Sequence, residues 1–199
     1  DKFLKDISKR INFRNLTDPQ ERYLKRIEES CSEEKIEEHT TWTKHYDANL
    51  REVAIICAEY YARTGDYYLY TSNKVLNDRE GHILTKEEFK KMCANKYSHA
   101  VINAWTSKPA YHVGQLVQIR KTNRLDMYRD RWNNVISSQY KLHKKAMDGA
   151  SVTAVVLESN AAPIYRPIKG GKVYKILPFG STTPVYACEK DIKKLRKGA

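Results

Sequence analysis

The apolar residues of this chain change their period once, near Val113, and that change constrains the fold class more than any other feature. Before it they recur every three or four positions, as on one helix face: Phe3, Leu4, Ile7 and Ile11, then Tyr23, Leu24, Ile27 and Cys31. A stronger stripe of Leu50, Val53, Ala54, Cys57, Tyr60 and Tyr61 predicts a helix from about Asp47 to Arg63, with Gly65 as its stop. After the change, Val113-Gly114-Gln115-Leu116-Val117-Gln118-Ile119-Arg120 alternates apolar and polar, the mark of a half-buried strand. With 199 residues and 41% apolar content, the chain can bury a core in one or two domains. The two periods together predict an α+β protein.

Local signals divide it further. Asp18-Pro19-Gln20-Glu21 reads as a helix start, with Asp18 as cap and Glu21 reaching back, and Ser32 caps the next helix. Tyr67-Tyr68-Leu69-Tyr70 is aromatic enough for a strand, pairing with His82-Ile83-Leu84 in a small β-hairpin. Thr85-Lys86-Glu87-Glu88 is a capping box opening a helix that runs to Lys108-Pro109. The expected organisation is a helical domain over 1–108 and a second domain over 109–199. In the latter an amphipathic basic helix is inserted at 124–147. Strands return at Ser151–Glu158, Lys172–Pro178 and Thr183–Cys188, and Glu189–Lys197 is left as one helical turn and a disordered end.

Charge follows the same division. Residues 1–108 hold 19 basic and 18 acidic side chains; residues 109–199 hold 17 and 6, a net of +11 within a chain of +12. So one-sided an excess creates a field that attracts polyanions and is screened by salt.

The strand Val113–Arg120 and the later run Gly170-Gly171-Lys172-Val173-Tyr174-Lys175-Ile176-Leu177-Pro178-Phe179-Gly180 resemble a small SH3-like barrel of the KOW or Tudor-like kind. The resemblance spans residues 111–192 and departs from that pattern in the long helix between the first two strands. It implies a binding module, since such barrels take RNA, DNA, proline-rich peptides, methyl-lysine or cell-wall polymers. Residues 1–108 resemble no family.

Twelve cations are the candidate nucleic-acid contacts. Arg120, Lys121, Arg124, Arg129, Arg131, Lys141, Lys144 and Lys145 lie on or beside the inserted helix. Its Tyr128 and Trp132 fall on the apolar stripe, which assigns them to packing, with base stacking as the alternative. Arg166, Lys169, Lys172 and Lys175 form a second group, extended by Lys190, Lys193, Lys194, Arg196 and Lys197. Within it Lys169-Gly170-Gly171-Lys172 suits a phosphate through its amides and flanking cations, unless its lysines merely keep a hairpin edge in water.

Other chemistries find little support. Cys31, Cys57, Cys93 and Cys188 are scattered, without the density of a disulfide framework, and Cys31, His39, His45 and Cys57 lack the spacing of a zinc site. Residues 76–87 imitate a calcium loop but place Leu76 where the first carboxylate belongs. No P-loop or hydrolase motif occurs; Glu28, Glu52 and Glu59 have no placement as a glycosidase pair, and His112 reads as a surface or packing residue. Neither metal nor cofactor is expected. The absence of a signal-like segment or apolar span predicts a cytoplasmic or nucleoid-associated protein without a membrane partner. The sequence therefore points to a non-enzymatic nucleic-acid-binding protein, whose helical half is free to recruit a protein partner. Two competing expectations are a regulatory factor docking its basic face on an acidic protein such as a polymerase, and a cell-wall hydrolase with a wall-binding barrel.

Overall fold

The computed structural model describes residues 16–65, 67–120 and 152–195, together with 5, 7–9, 141, 144 and 145. The inserted helix expected at 124–147 lies outside the described residues, apart from Lys141, Lys144 and Lys145, which are helical and exposed. Most of the stripe Phe3–Ile11 lies outside them too.

Two compact units form, Asp1–Tyr46 and Asp47–Ala199. The boundary expected at 108/109 falls inside the second. In the first unit, α1 (Asp18–Ser30) starts one residue earlier than its capping signal suggested: Thr17 is the N-cap, and its N–H donates to Gln20 Oε1 at 3.0 Å. Helix α2 (Glu33–His45) follows Ser32 and buries none of its residues. At its end the Trp42 and Tyr46 rings lie 5.9 Å apart.

The second unit opens with α3 (Ala48–Thr64), capped where the sequence indicated. Asp47 Oδ1 accepts from Leu50 N at 2.9 Å, and Gly65 closes the helix at φ +74°, a left-handed conformation that glycine adopts without a Cβ penalty. Ile56 and Ala58 are buried along with Ala54, Cys57, Tyr60 and Tyr61, because three further helices pack against α3. The first is α4 (Leu69–Asn77), which replaces the expected hairpin. Its Ser72 and Val75 are buried at a spacing of three, whereas Tyr67 to Tyr70 are all exposed. That run has strand propensity but no partner strand, and helical burial behind it prevails.

Thr85 and Glu88 make the predicted capping box of α5 (Lys86–Cys93). The long helix expected to follow is broken into two. Asn95 caps α6 (Lys96–Thr106), its Oδ1 accepting from Tyr97 N and Ser98 N, each at 3.0 Å. Its Nδ2 meanwhile donates to Lys91 O and Met92 O, satisfying the end of α5. One amide side chain thus offers the backbone an alternative to continued helix.

Five antiparallel strands then form one sheet: β1 (Leu116–Ile119), β2 (Thr153–Ser159), β3 (Val173–Pro178), β4 (Val185–Cys188) and β5 (Ile192–Lys194), in the order β4-β3-β2-β1-β5. The sheet is open among the described residues. The expected helical turn is present as a 3-10 turn at Glu189–Asp191, and strand β5 follows it where a disordered end was expected. A buried Ile192 opposite Ile119 explains it, since one well-placed apolar side chain draws the segment onto the free edge of β1. One sheet face is the core, with Val117, Ile119, Ala154, Val156, Tyr174, Ile176, Val185, Ala187 and Ile192 in mutual contact.

Candidate nucleic-acid interface

The segment Glu189-Lys190-Asp191-Ile192-Lys193-Lys194 mixes signs in sequence and separates them in space. Asp191 turns inward, where Oδ2 accepts from Arg166 Nη1 at 3.1 Å with both side chains buried. Glu189 Oε2 accepts from the Tyr174 hydroxyl at 2.7 Å and from Ala110 N at 3.2 Å. Lys190, Lys193 and Lys194 are left exposed on the outside. The backbone fixes this sorting: Arg120 N donates to Asp191 O at 2.8 Å, Glu189 N to Lys172 O at 2.8 Å, and Lys190 N to Gly170 O at 3.1 Å.

Two more cations join them. Arg120 is exposed at the end of β1, with Nε donating to Ile192 O at 2.9 Å. Lys169 is exposed next to Gly170, whose carbonyl holds Lys190. Arg120, Lys169, Lys190, Lys193 and Lys194 therefore gather around the β1–β5 edge. An edge strand bearing lysines also resists pairing with another sheet.

The remaining candidates are divided. Lys175 is half-buried, opposite Glu158 and Tyr186 in the sheet register. Lys141, Lys144 and Lys145 are exposed, while Lys121, Arg124, Arg129, Arg131, Tyr128 and Trp132 lie outside the described residues. Arg166 and Lys172 are corrections: both are buried and serve the fold. Lys172 Nζ donates to Trp105 O at 2.6 Å and to Asn160 Oδ1 at 2.7 Å, joining the end of α6 to the sheet. Burial holds its pKa below the usual lysine value.

In the Lys169–Lys172 loop the Gly171 amide is taken up within the protein. Gly171 N donates to Ile168 O at 3.0 Å, so that amide faces the protein. A Cβ on Gly171 would stand 2.3 Å from Arg166 O, so only glycine fits this close backbone approach.

Behind the loop, Tyr165 and Cys188 meet at 3.1 Å, and the Arg63 guanidinium of α3 lies 4.6 Å from the Tyr165 ring centroid. Burial pushes the Cys188 thiol up to about 11, which leaves it protonated and unreactive near neutral pH. Among the described residues no cluster of three or more His, Cys, Asp or Glu is placed to hold a metal, and no helix is long and apolar enough to cross a membrane.

The charge asymmetry also begins earlier than the change of period. Residues 89–199 hold 21 basic and 6 acidic side chains, and no Asp or Glu occurs between Phe89 and Leu125. Helices α4 and α6 carry no carboxylate at all. No protein-family model, curated protein or solved structure matches the chain.

Proposed function

We propose that this protein binds nucleic acid, without catalysing a reaction, through the cationic edge formed by β1, β5 and the 3-10 turn. The observation that carries the reading is that Asp191 is buried against Arg166 and half-buried Glu189 is bonded to Tyr174, while Lys190, Lys193 and Lys194 are exposed. A surface that only needed solubility has no use for that separation. Exposed lysines that outnumber the one half-buried carboxylate beside them leave a net positive field, which phosphates satisfy by releasing their counterions. Resemblance to an SH3-like module of the KOW or Tudor-like kind is supported by the strand order and by the 3-10 turn that delivers β5 beside β1. Those modules are binding platforms, in keeping with an interface made of backbone-directed cations.

Fluorescence anisotropy with duplex DNA, single-stranded DNA and RNA across a salt series tests the proposal. Affinity falls with salt in the wild type, and each of Lys190→Gln, Lys193→Gln and Lys194→Gln lowers the slope by about 0.7–0.9. Salt-independent binding, or none, rejects it. If the basic edge instead retains an acidic protein from nuclease-treated lysate and no nucleic acid, the partner is a protein and the proposal is wrong.

A further inference from the structure

The second unit carries its most exposed tyrosines on two segments that meet at Tyr61 and Asn95. Tyr67 (69% exposed), Tyr68 (37%), Tyr70 (73%) and Tyr97 (51%) are the tyrosines among its described residues that are exposed to this degree. Its Tyr60, Tyr61 and Tyr174 are buried, so the exposure is selective and not a general habit of the residue. Three of the four are linked through one hub, and Tyr70 follows Tyr68 by two positions at the start of α4. Tyr61 OH bonds Asn95 Oδ1 and Ser98 Oγ, each at 3.1 Å, and its ring meets Tyr68 edge-on with centroids 5.0 Å apart. The same Asn95 Oδ1 holds Tyr97 N, while Tyr67 lies 6.5 Å from Tyr68, ring to ring.

Tyr68 has φ +53°, a left-handed conformation that costs a non-glycine residue roughly 1–2 kcal/mol. The strained residue is therefore held by its surroundings, which fixes the backbone at Tyr68 in advance of any ligand.

Charge selects the occupant. Lys74 Nζ lies 4.4 Å from the Tyr70 ring centroid and Lys96 Nζ lies 5.0 Å from that of Tyr97. Each covers one ring face and leaves a cation beside the aromatic, on helices without a single carboxylate. An apolar protein partner needs no such cations, and an uncharged glycan gains nothing from them. A strand with unpaired bases offers both halves of the match, a π-face for each tyrosine and a phosphate for each lysine. In a duplex the bases are stacked on each other and cannot serve.

We infer that Tyr67, Tyr68, Tyr70 and Tyr97, with Lys74 and Lys96, form a stacking platform for single-stranded nucleic acid. This rests on the nucleic-acid reading above and adds a preference for unpaired strands that the basic edge does not supply. The test compares wild type, Tyr67→Ala/Tyr70→Ala and Tyr70→Phe for binding labelled oligo-dT, oligo-U and a mixed-sequence duplex of equal length. Because Tyr67 and Tyr70 are exposed, thermal melting should match the wild type. The double variant loses single-strand affinity by roughly 5- to 160-fold for each stacked base, keeps its duplex affinity, and Tyr70→Phe stays near wild type. If the double variant binds oligo-dT and oligo-U like the wild type while Lys193→Gln weakens both, the platform is wrong and the basic edge stands. If the wild type binds no nucleic acid, both fall.

Discussion

Arg166 and Asp191 meet at 3.1 Å with only 8% and 5% of their side chains exposed. A buried ion pair adds little net stability over apolar residues of the same shape, but breaking it strands a charge without water. Asp191 is also the residue that Lys190 and Ile192 flank, so the pair anchors the turn that sends the lysines outward.

Removing one partner should therefore be costly. Asp191→Leu is expected to lower stability by about 3–5 kcal/mol, with Arg166→Met/Asp191→Leu less damaging than either Arg166→Met or Asp191→Leu alone. Urea denaturation of the four proteins completes the cycle, and additive single effects would show that the pair is not coupled.

Lys172 and Lys193 separate structural from ligand-directed cations. Lys172→Met deserts the Trp105 carbonyl and Asn160 Oδ1, and should cost about 1–3 kcal/mol of stability while leaving the salt slope of binding unchanged. Lys193→Gln should do the reverse, lowering the slope at little cost in stability. Denaturation curves and anisotropy on both variants decide it; a lowered slope in Lys172→Met would mean that this side chain meets the ligand.

Two glycines make a paired test of the backbone. Gly171→Ala forces its Cβ against the Arg166 and Ile168 carbonyls, 2.3 and 2.9 Å away, and is expected to cost about 3 kcal/mol. Gly180 has φ +77° and nothing within 4 Å of an added Cβ, so Gly180→Ala should cost only about 1–2 kcal/mol of conformational strain. Chemical denaturation ranks the two, and equal losses would contradict the close approach at Gly171.

Much of the architecture was legible because its signals are local. The Asp47 cap, the Gly65 stop and the Thr85–Glu88 box are each set by residues within four positions of one another, alternation marked β1, and the runs at Ser151–Glu158, Lys172–Pro178 and Thr183–Cys188 marked β2 to β4. What escaped depends on distant partners. Nothing near Tyr67 reveals that Ser72 and Val75 will be buried, or near Ile192 that Ile119 will lie opposite it. Lys172 and Arg166 looked like phosphate ligands because a sequence shows charge and not where it is buried. Sorting of Glu189 and Asp191 from their lysine neighbours is likewise invisible until Tyr174 and Arg166 arrive. A carboxylate-free run from Phe89 was available in the sequence, and it places α6 on the cationic side of the charge divide.

Asn95 shows how one cap can be worth more than its helix. It caps α6, closes α5 and orients Tyr61 through a hydrogen bond at 3.1 Å. Asn95→Ala should lose about 2 kcal/mol, the upper end for a cap, and Asn95→Asp should recover the Oδ bonds to Tyr97 and Ser98. Thermal melting of the two variants measures this. Full stability in Asn95→Ala would leave the break between α5 and α6 without a cause.

Alkaline pH should destabilise the second unit, and the sign follows from its buried acids. Burial raises the Cys188 thiol from 9.0 to about 11, and burial likewise raises the Tyr165 and Tyr174 phenols, the latter aided by its bond to Glu189. Cys93 moves the same way, first through its hydrogen bond with Cys57 and then through burial. Between pH 9 and 11 the unfolded chain releases protons that the folded chain retains, so stability falls as pH rises through that window. Lys172 opposes them: its lowered pKa means that the unfolded chain keeps the extra proton up to about 10.5, a contribution that grows with pH. One lysine against two thiols and three phenols, Tyr111 being raised by burial too, leaves a net loss, of which Cys188 supplies about 2–3 kcal/mol. Melting temperatures measured from pH 8 to 11 should drop for the wild type and drop less steeply for Cys188→Ala, whatever its starting stability. Parallel curves for the two proteins would remove Cys188 from the account.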